Sequence, residues 1–481
     1  MAGESHGQLP GFVRIASFAA AVPPSPTMSP FEFRASAGLS GLYALRMLGM
    51  FLVLPVFALY ASKLPGGDNH TLVGMALGAY GLTQALLQLP LGMLSDRIGR
   101  KPVIYGGLIL LAIGSVVAAT AQDLIWITIG RALQGAGAIS AAITALLADL
   151  TREENRTKAM AMVGGSIGIT FAISLVAAPA IAAQFGLSGI FLLTAGLAVA
   201  AMLGVWKIIP DPSQSRFHSD AEANPKRLGA VLRDPQLLRL NYGVFALHAA
   251  QMALFVTLPL ALVQSAHLAS SEHWKVYLPV MAIGFALMVP AVIVAETRNK
   301  LKPVFIAAVA LMLLAQLGMT TGFDTLARIV IWLGVYFIAF NILEATQPSL
   351  ISKIAPADAK GTAMGVYNTT QSLGFFVGSV VGGWLYHKGG TLPVHIFCAV
   401  LIGVWLIVTI GLRPPMPVRT LMYHIDDSQL GNATNLARQL AQLTGVKEAV
   451  VIAEEGVAYL KVLREGWDEA GALALLANKT S

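Results

Sequence analysis

Long apolar runs separated by short polar stretches repeat along this chain, with almost no period-two alternation. Twelve runs stand at roughly 38–61, 72–95, 102–120, 124–150, 157–183, 187–208, 237–263, 273–296, 302–321, 325–352, 358–386 and 391–412. A helix needs about 20 apolar residues to cross the hydrocarbon core of a bilayer. Each run therefore predicts a transmembrane helix, and they are called spans 1 to 12. Alternating ten-residue segments, the mark of a membrane barrel, are missing from the pattern. The fold class expected is an all-α polytopic membrane protein.

Composition strengthens this reading. The 481 residues are 56% hydrophobic and 12% charged, with a mean hydropathy of +0.69. Soluble domains carry about 25% charged residues. The net charge of +7 suggests a nucleic-acid partner only until the charges are placed. The loops after the odd spans hold Lys63, Lys275 and Lys388, whereas those after the even spans hold most of the other Lys and Arg. The positive-inside rule then places the even loops and both termini in the cytoplasm. The charge reports topology, and no nucleic-acid partner is expected. Cys398 is the one cysteine, which excludes a disulfide framework or a Cys-rich metal site and fits plain packing. The stretch after Arg14, IASFAAAVPPSP, imitates a signal peptide but is short and broken by Pro and Ser, so it is read as a tail.

The longest and most polar loop, IPDPSQSRFHSDAEANPKRLGAVLRDP, splits the spans into two sets of six. Two internal echoes support a duplication: Asp96 in LSDRIGRKP answers Glu296 in VAETRNKLKP, and Arg156-Thr-Lys-Ala-Met answers Lys360-Gly-Thr-Ala-Met. After Pro414-Pro415-Met416-Pro417 the composition changes to that of a small soluble module. TLMYHI, KEAVVIAEE and VAYLKVLR predict strands, while GNATNLARQLAQLTG and EGWDEAGALALLANK predict helices. The expected order is β-α-β-β-α, with a ferredoxin-like α+β fold whose fourth strand is not evident. The domains expected are 1–36 tail, 37–208 first helical half, 209–236 linker, 237–412 second helical half, 413–418 linker and 419–481 cytoplasmic module.

Between spans 2 and 3 a knot of charge interrupts the apolar pattern, GMLSDRIGRKP at 92–102. Gly92, Leu94, Asp96, Arg97, Gly99, Arg100 and Lys101 fill the motif G-x-L-x-D-R-x-G-R-K, and the chain here resembles the major facilitator superfamily. That family is built from two parallel six-helix halves. Gly92 permits close helix packing and Gly99 a tight turn. The resemblance implies that Asp96 sits at the positive N-terminus of span 11, around Pro356-Ala-Asp358-Ala-Lys360, and latches the halves together in one state. Arg97 and Arg100 are expected to pair with Asp96, or with Asp149 and Glu153 at the end of span 4, and Arg156 belongs to the same latch. Lys101 serves equally to set topology and bind anionic lipid. Arg131-Ala-Leu-Gln134-Gly135-Ala-Gly137 resembles the family's R-x-x-x-G-x-G motif of helix 4, which is associated with proton transfer. A structural arginine fits as well. Helix 5 departs from the antiporter pattern, because Pro179 lies far from Gly164, Gly165 and Gly168.

The resemblance also implies that spans 1, 4, 7 and 10 line a central cavity. Each carries one residue that is expensive in lipid: Arg46, Arg131, His248 and Glu344. Arg46 and Glu344 lie about 12 Å from the cytoplasmic ends of their helices, which allows a charge pair across the halves. Glu344 is the candidate proton carrier, since a drier site favours the neutral carboxyl and a nearby cation the charged one. A permanent Arg46–Glu344 bridge is the plainer alternative. His248 suits either a proton site or a hydrogen-bonded structural role. Gln134, Gln251 and Asn341 are candidate substrate contacts, and Met252, Phe255 and Phe340 suit an apolar ligand or simple packing.

RMLGMFLVLPV, YGLTQALLQLPLGMLSDRIGRKP, DLTREENRTKAMA, EHWKVYL and KGTAMGVYNTTQSLG are similar to the YajR-type subgroup of this family. What this implies is a proton-coupled exporter of small apolar or cationic organic molecules in the bacterial inner membrane, working as a monomer. Its partners are the substrate, protons and lipid, with possible docking of a ligand or protein on the C-terminal module. Proton symport into the cell and a non-transporting sensor are the alternatives. No nucleophile elbow, P-loop or metal-ligand cluster marks the loops, so no enzymatic activity, cofactor or metal is expected.

Overall fold

The computed structural model describes residues 27–211, 224–356, 359–413, 418–425, 431–453, 456–463 and 466–477. Asp358 and residues 212–223 of the linker between the halves lie outside them.

Span 1 begins earlier than its apolar run suggests. Its helix, Pro30–Phe51, starts on a capping box in which Ser29 and Glu32 bond each other's backbone, with Pro30 at the first helical position. The tail expected at 1–36 is therefore partly helical. The Glu32 carboxylate also accepts from Arg152 Nε (3.0 Å) and Nη2 (2.9 Å) and from Asn155 Nδ2 (3.2 Å). It ties the start of span 1 to the start of span 5. Glu32→Ala leaves these donors without their acceptor, an expected loss of about 1–3 kcal/mol, which a lower melting temperature of the purified protein would report. An unchanged melting temperature would rule this tie out as a stabilising element.

Two spans are broken for local reasons. Span 1 unwinds around Pro55 and resumes as Phe57–Ala61. Span 4 runs Leu124–Ala136, breaks at Gly137 and resumes as Ser140–Asp149. A methyl on Gly135 would lie 2.1 Å from the Tyr80 carbonyl oxygen, so that glycine of the span-4 motif lets spans 2 and 4 meet backbone to backbone. Spans 5 and 6 form Glu153–Lys207, kinked at Gly186 (φ +66°). The remaining spans are His70–Ile98, Arg100–Thr120, Pro235–Gln264, Trp274–Thr297, Leu301–Thr321, Leu326–Ile354, Lys360–Gly389 and Thr391–Ile410. Among the described residues nine helices are long and apolar enough to cross a membrane. Exposed Ile169, Leu192, Trp206 and Ile407 give the outer surface the apolar character that lipid requires.

Span 11, rich in Gly, Ser, Thr, Asn and Gln, does not reach that apolarity. The structure explains why: it is wedged between span 2 of the first half and span 7 of its own. Methyls added to Gly74, Gly81 and Gly383 would lie 2.2, 2.7 and 2.4 Å from the carbonyl oxygens of Ser379, Ser372 and His70. The seam between spans 2 and 11 is therefore closed to backbone contact over the part remote from residues 92–102. The side of the protein carrying residues 92–102 is here called the basic face. Near the opposite face, His70 and Tyr386 meet edge to face at 4.7 Å, and Phe57–Ala61 packs on span 7.

The C-terminal module has the expected β-α-β-β-α order. Strands β1 (Val418–His424), β2 (Val446–Ile452) and β3 (Val457–Leu463) form an antiparallel sheet in the order β1-β3-β2. Helices Ala433–Ala441 and Glu469–Ala477 contribute Leu436, Leu440, Ala472 and Leu476 to a core with Ala458, Leu460 and Val462. Lys461 pairs with Glu448 at 2.9 Å and donates to the carbonyl of Ala355, which follows span 10.

Candidate functional site

The second half holds a compact polar cluster. His248 Nδ1 stands 2.9 Å from the Val244 carbonyl oxygen one turn back, so this nitrogen carries the hydrogen. Nε2 stands 2.7 Å from Gln371 Nε2 and 3.3 Å from Glu344 Oε2. The His248 side chain is 3% exposed, whereas that of Glu344 is 37% exposed. Glu344 thus has one oxygen against the buried imidazole, while the rest of its side chain opens to solvent. The rings of Phe340 and Phe375 stand edge-on to His248.

The first half holds a separate cluster around two arginines, each 1% exposed. Arg46 donates to Ser140 Oγ (3.0 Å), Tyr80 OH (3.0 Å) and Gln84 Oε1 (3.1 Å). Arg131 donates to Gln134 Oε1 (2.9 Å), and its guanidinium lies 4.9 Å from the centre of the Tyr80 ring. Gln134 in turn donates to Ser115 Oγ (2.7 Å). The expected Arg46–Glu344 pair is not formed. The break in span 4 leaves the Ser140 hydroxyl as an acceptor, and Tyr80 and Gln84 of span 2 supply two more, so both terminal nitrogens of Arg46 find partners within its own half.

The halves communicate nonetheless. Gln84, holding Arg46 through its oxygen, donates through Nε2 to Ser372 Oγ of span 11 at 3.1 Å. Toward the opposite face, Phe171 of span 5 packs against Phe51 (5.0 Å between centroids) and against Phe255, Phe337 and Phe340 (6.0–6.3 Å). Four of these rings come from three spans of both halves and fill the centre. The candidate substrate residues Gln134, Gln251, Met252, Phe255, Phe340 and Asn341 are all buried. Gln134 belongs to the Arg131 cluster, and Phe255 and Phe340 to this aromatic plug, so none of the three lines an open cavity in this state.

The charged knot is anchored within its own half. Arg100 pairs with Asp96 and reaches Ser95 Oγ (3.0 Å) and Asp149 Oδ2 (3.3 Å). Lys101 bonds the Ile209 carbonyl (2.8 Å) and Asp211 (2.7 Å) after span 6. Gly92 lies against Ala141, Gly99 turns with φ +98°, and Arg156 is buried with Nη2 3.5 Å from the Ala148 carbonyl oxygen. Arg97 is exposed, and among the described residues Asp96 is paired with Arg100 rather than with span 11. At the start of span 11, Thr362 Oγ1 instead accepts from Asn224 N (2.8 Å). In the second half the acidic echo Glu296, at the end of span 8, pairs with Lys353 (2.5 Å) and accepts from Ser349 (2.6 Å), both near the end of span 10.

These contacts define one state, in which the halves meet backbone to backbone toward the opposite face. Gly164 and Gly165 of span 5, on the basic side, have open space beside them, whereas Gly168 approaches Phe285 of span 8. Reading the sequence alone missed Tyr80, Gln84, Gln371 and Ser372. The signal was present in polar side chains within apolar spans, which need partners inside the bundle.

Comparison with known proteins agrees with this architecture. Residues 39–378 and 301–424 match the family model of the Major Facilitator Superfamily. The inner membrane transport protein YajR of Escherichia coli (strain K12) is 44% identical over 436 residues, covering 90% of this chain and 95% of that protein. The multidrug resistance protein MdtH of Aeromonas hydrophila is 28% identical, covering 71% and 84%. Two solved structures share the fold at low identity. The human organic anion transporter MFSD10 superposes with a TM-score of 0.61 at 18% identity, covering 79% of this chain and 100% of that one. A bacterial homologue of the lysosomal transporter Spinster, in an inward-facing and occupied conformation, gives 0.64 at 13%, covering 79% and 97%.

Proposed function

Because the chain belongs to the major facilitator superfamily, a family of transporters, we propose that it is a proton-coupled secondary transporter that exports small apolar or cationic organic molecules by alternating access. The observation that carries this reading is the contact between His248 and Glu344. With the Nδ1 hydrogen engaged by Val244, a bare Nε2 and an ionised Oε2 would set two lone-pair-bearing atoms 3.3 Å apart. A proton on either atom relieves that repulsion. In this reading the pair carries the coupled proton, and the exposed part of Glu344 lets water or a substrate reach it. A cationic substrate entering from the open face competes with the proton for this one carboxylate, which is the logic of antiport. The name of MdtH fits an export role for a distant relative.

By the positive-inside rule the Lys and Arg of the even loops support a basic face, with both termini, on the cytoplasmic side. With the halves in contact toward the opposite face and the Glu344 side chain exposed, we read this state as open inward. Rocking of the two halves closes the basic face, and Asp96 then meets the N-terminus of span 11 as the latch of the outward-open state. Everted membrane vesicles acidified inside by respiration test the direction of flux. Adding ethidium or tetraphenylphosphonium is expected to collapse part of the pH gradient only when the protein is present. Proton-driven release of a preloaded solute, with no response to either cation, would instead make it a symporter. Truncation after Arg413 that leaves flux intact assigns the C-terminal module a regulatory part and excludes a non-transporting sensor.

A further inference from the structure

Two neighbouring residues of span 11 hold opposite partners. Gln371 reaches the buried imidazole of its own half, with Nε2 2.7 Å from His248 Nε2. Ser372 accepts from Gln84 of the other half at 3.1 Å, and Gln84 holds Arg46 at 3.1 Å. A polar chain thus runs Glu344–His248–Gln371, passes along one peptide unit, and continues Ser372–Gln84–Arg46. It links a carboxylate in one half to a guanidinium in the other. His248, Ser372, Gln84 and Arg46 are all buried, where each bond counts for more than in water.

We propose that Gln371 and Ser372 form the coupling element through which the proton on the His248–Glu344 pair sets the strength of the seam. The inference deepens the proton-coupled reading and rests on it. When Nε2 is bare it accepts the Gln371 N–H. A proton arriving at Nε2 turns that acceptor into a donor facing a donor, and the Gln371 amide must turn or withdraw. The bond that held the Gln371 amide in this orientation is then lost, beside the residue that tethers span 11 to the other half. The tether is specific to one state. Gly81, one turn before Gln84, sits so close that a methyl there would lie 2.7 Å from the Ser372 carbonyl oxygen. Gln84 reaches Ser372 only while the spans are this near. The other groups that face the proton site are the phenols of Tyr336 and Tyr367, near enough to Glu344 to sense its charge. Arg46 is the cation that the chain connects to it.

Spin labels on Asp68→Cys and Lys388→Cys, in full-length protein carrying Cys398→Ala and held in lipid nanodiscs, report closure of the opposite face. The parent is expected to show a closed-to-open ratio that varies with pH. Ser372→Ala should lower that ratio on the order of tenfold at the pH where the parent is most closed, the effect of one buried hydrogen bond, and leave it nearly unchanged where the parent is most open, so that the pH dependence flattens. Gln84→Leu should do the same, and the double variant should be no worse than either single one. Gln371→Leu should flatten the pH dependence while the closed state persists. Ratios within twofold of the parent where it is most closed, additive effects of the two seam variants, or a pH profile retained in Gln371→Leu would overturn the proposal. Glu344→Gln separates the two levels. If it keeps the pH dependence, the proton site itself is misassigned. If it loses that dependence while Gln371→Leu keeps it, only the coupling element is wrong.

Discussion

A Glu344→Gln variant is expected to insert, fold and exchange substrate downhill, yet to lose all proton-driven accumulation. Glutamine preserves the volume and keeps an oxygen near the His248 ring, but it does not titrate at any working pH. The carboxylate that shares the coupled proton with His248 is then gone. A one-for-one exchange of proton for cation moves no net charge, so its drive is the pH gradient; about 1.7 pH units supply about 2.3 kcal/mol, enough to sustain roughly a 50-fold concentration ratio. In proteoliposomes under such a gradient the ratio should fall from that order to about one. The exposure of Glu344 and the burial of its partner make this the position where a single atom exchange has the largest functional effect. An undiminished ratio in the variant would take Glu344 out of the mechanism.

The second large effect lies at the seam. In Gly74→Val the new Cβ would stand 2.2 Å from the Ser379 carbonyl oxygen and 3.2 Å from the Gly383 Cα. Both neighbours are backbone, so neither swings aside as a side chain would. Overpacking of this kind costs about 1–3 kcal/mol, a shift of roughly 5- to 150-fold in the balance between states. The cost applies only while spans 2 and 11 touch. A rocking protein escapes it by opening the opposite face, so the variant should accumulate in that state, folded but nearly without turnover. Gly106→Val, where nothing lies within 4 Å of the added carbon, should transport normally. Normal turnover in Gly74→Val would mean that the seam does not need this contact.

Much of this molecule was legible in the apolar pattern, because lipid imposes length and polarity on every crossing helix. The twelve spans, the division at the long polar loop and the strand-helix order of the C-terminal module all followed from it. The early start of span 1 was also written in the chain, as Ser29-Pro-Phe-Glu32, but a short capping box is quiet beside a 20-residue apolar run. What the pattern does not encode is rotation about each helix axis. Counted from the ends of their apolar runs, Arg46 and Glu344 lie at similar depth, which suggested a pair. Their side chains instead turn to Tyr80, Gln84 and Ser140 in one half and to His248 in the other. Gln84 and Ser372, which join the halves, are separated by 288 positions, and nothing local marks either as a partner. The glycines of spans 2 and 11 were legible as small residues, but only coordinates reveal that they meet each other's carbonyl oxygens.

Alternating access requires that one face open as the other closes about a shared proton site. Spin labels at Arg97→Cys and Lys360→Cys, in the Cys398→Ala background, measure the basic face directly. When Gly74→Val is added to force the opposite face apart, the distance between these labels should shorten as residues 92–102 approach the start of span 11, while Gly106→Val should leave it unchanged. A distance that stays the same or grows in Gly74→Val would contradict the account.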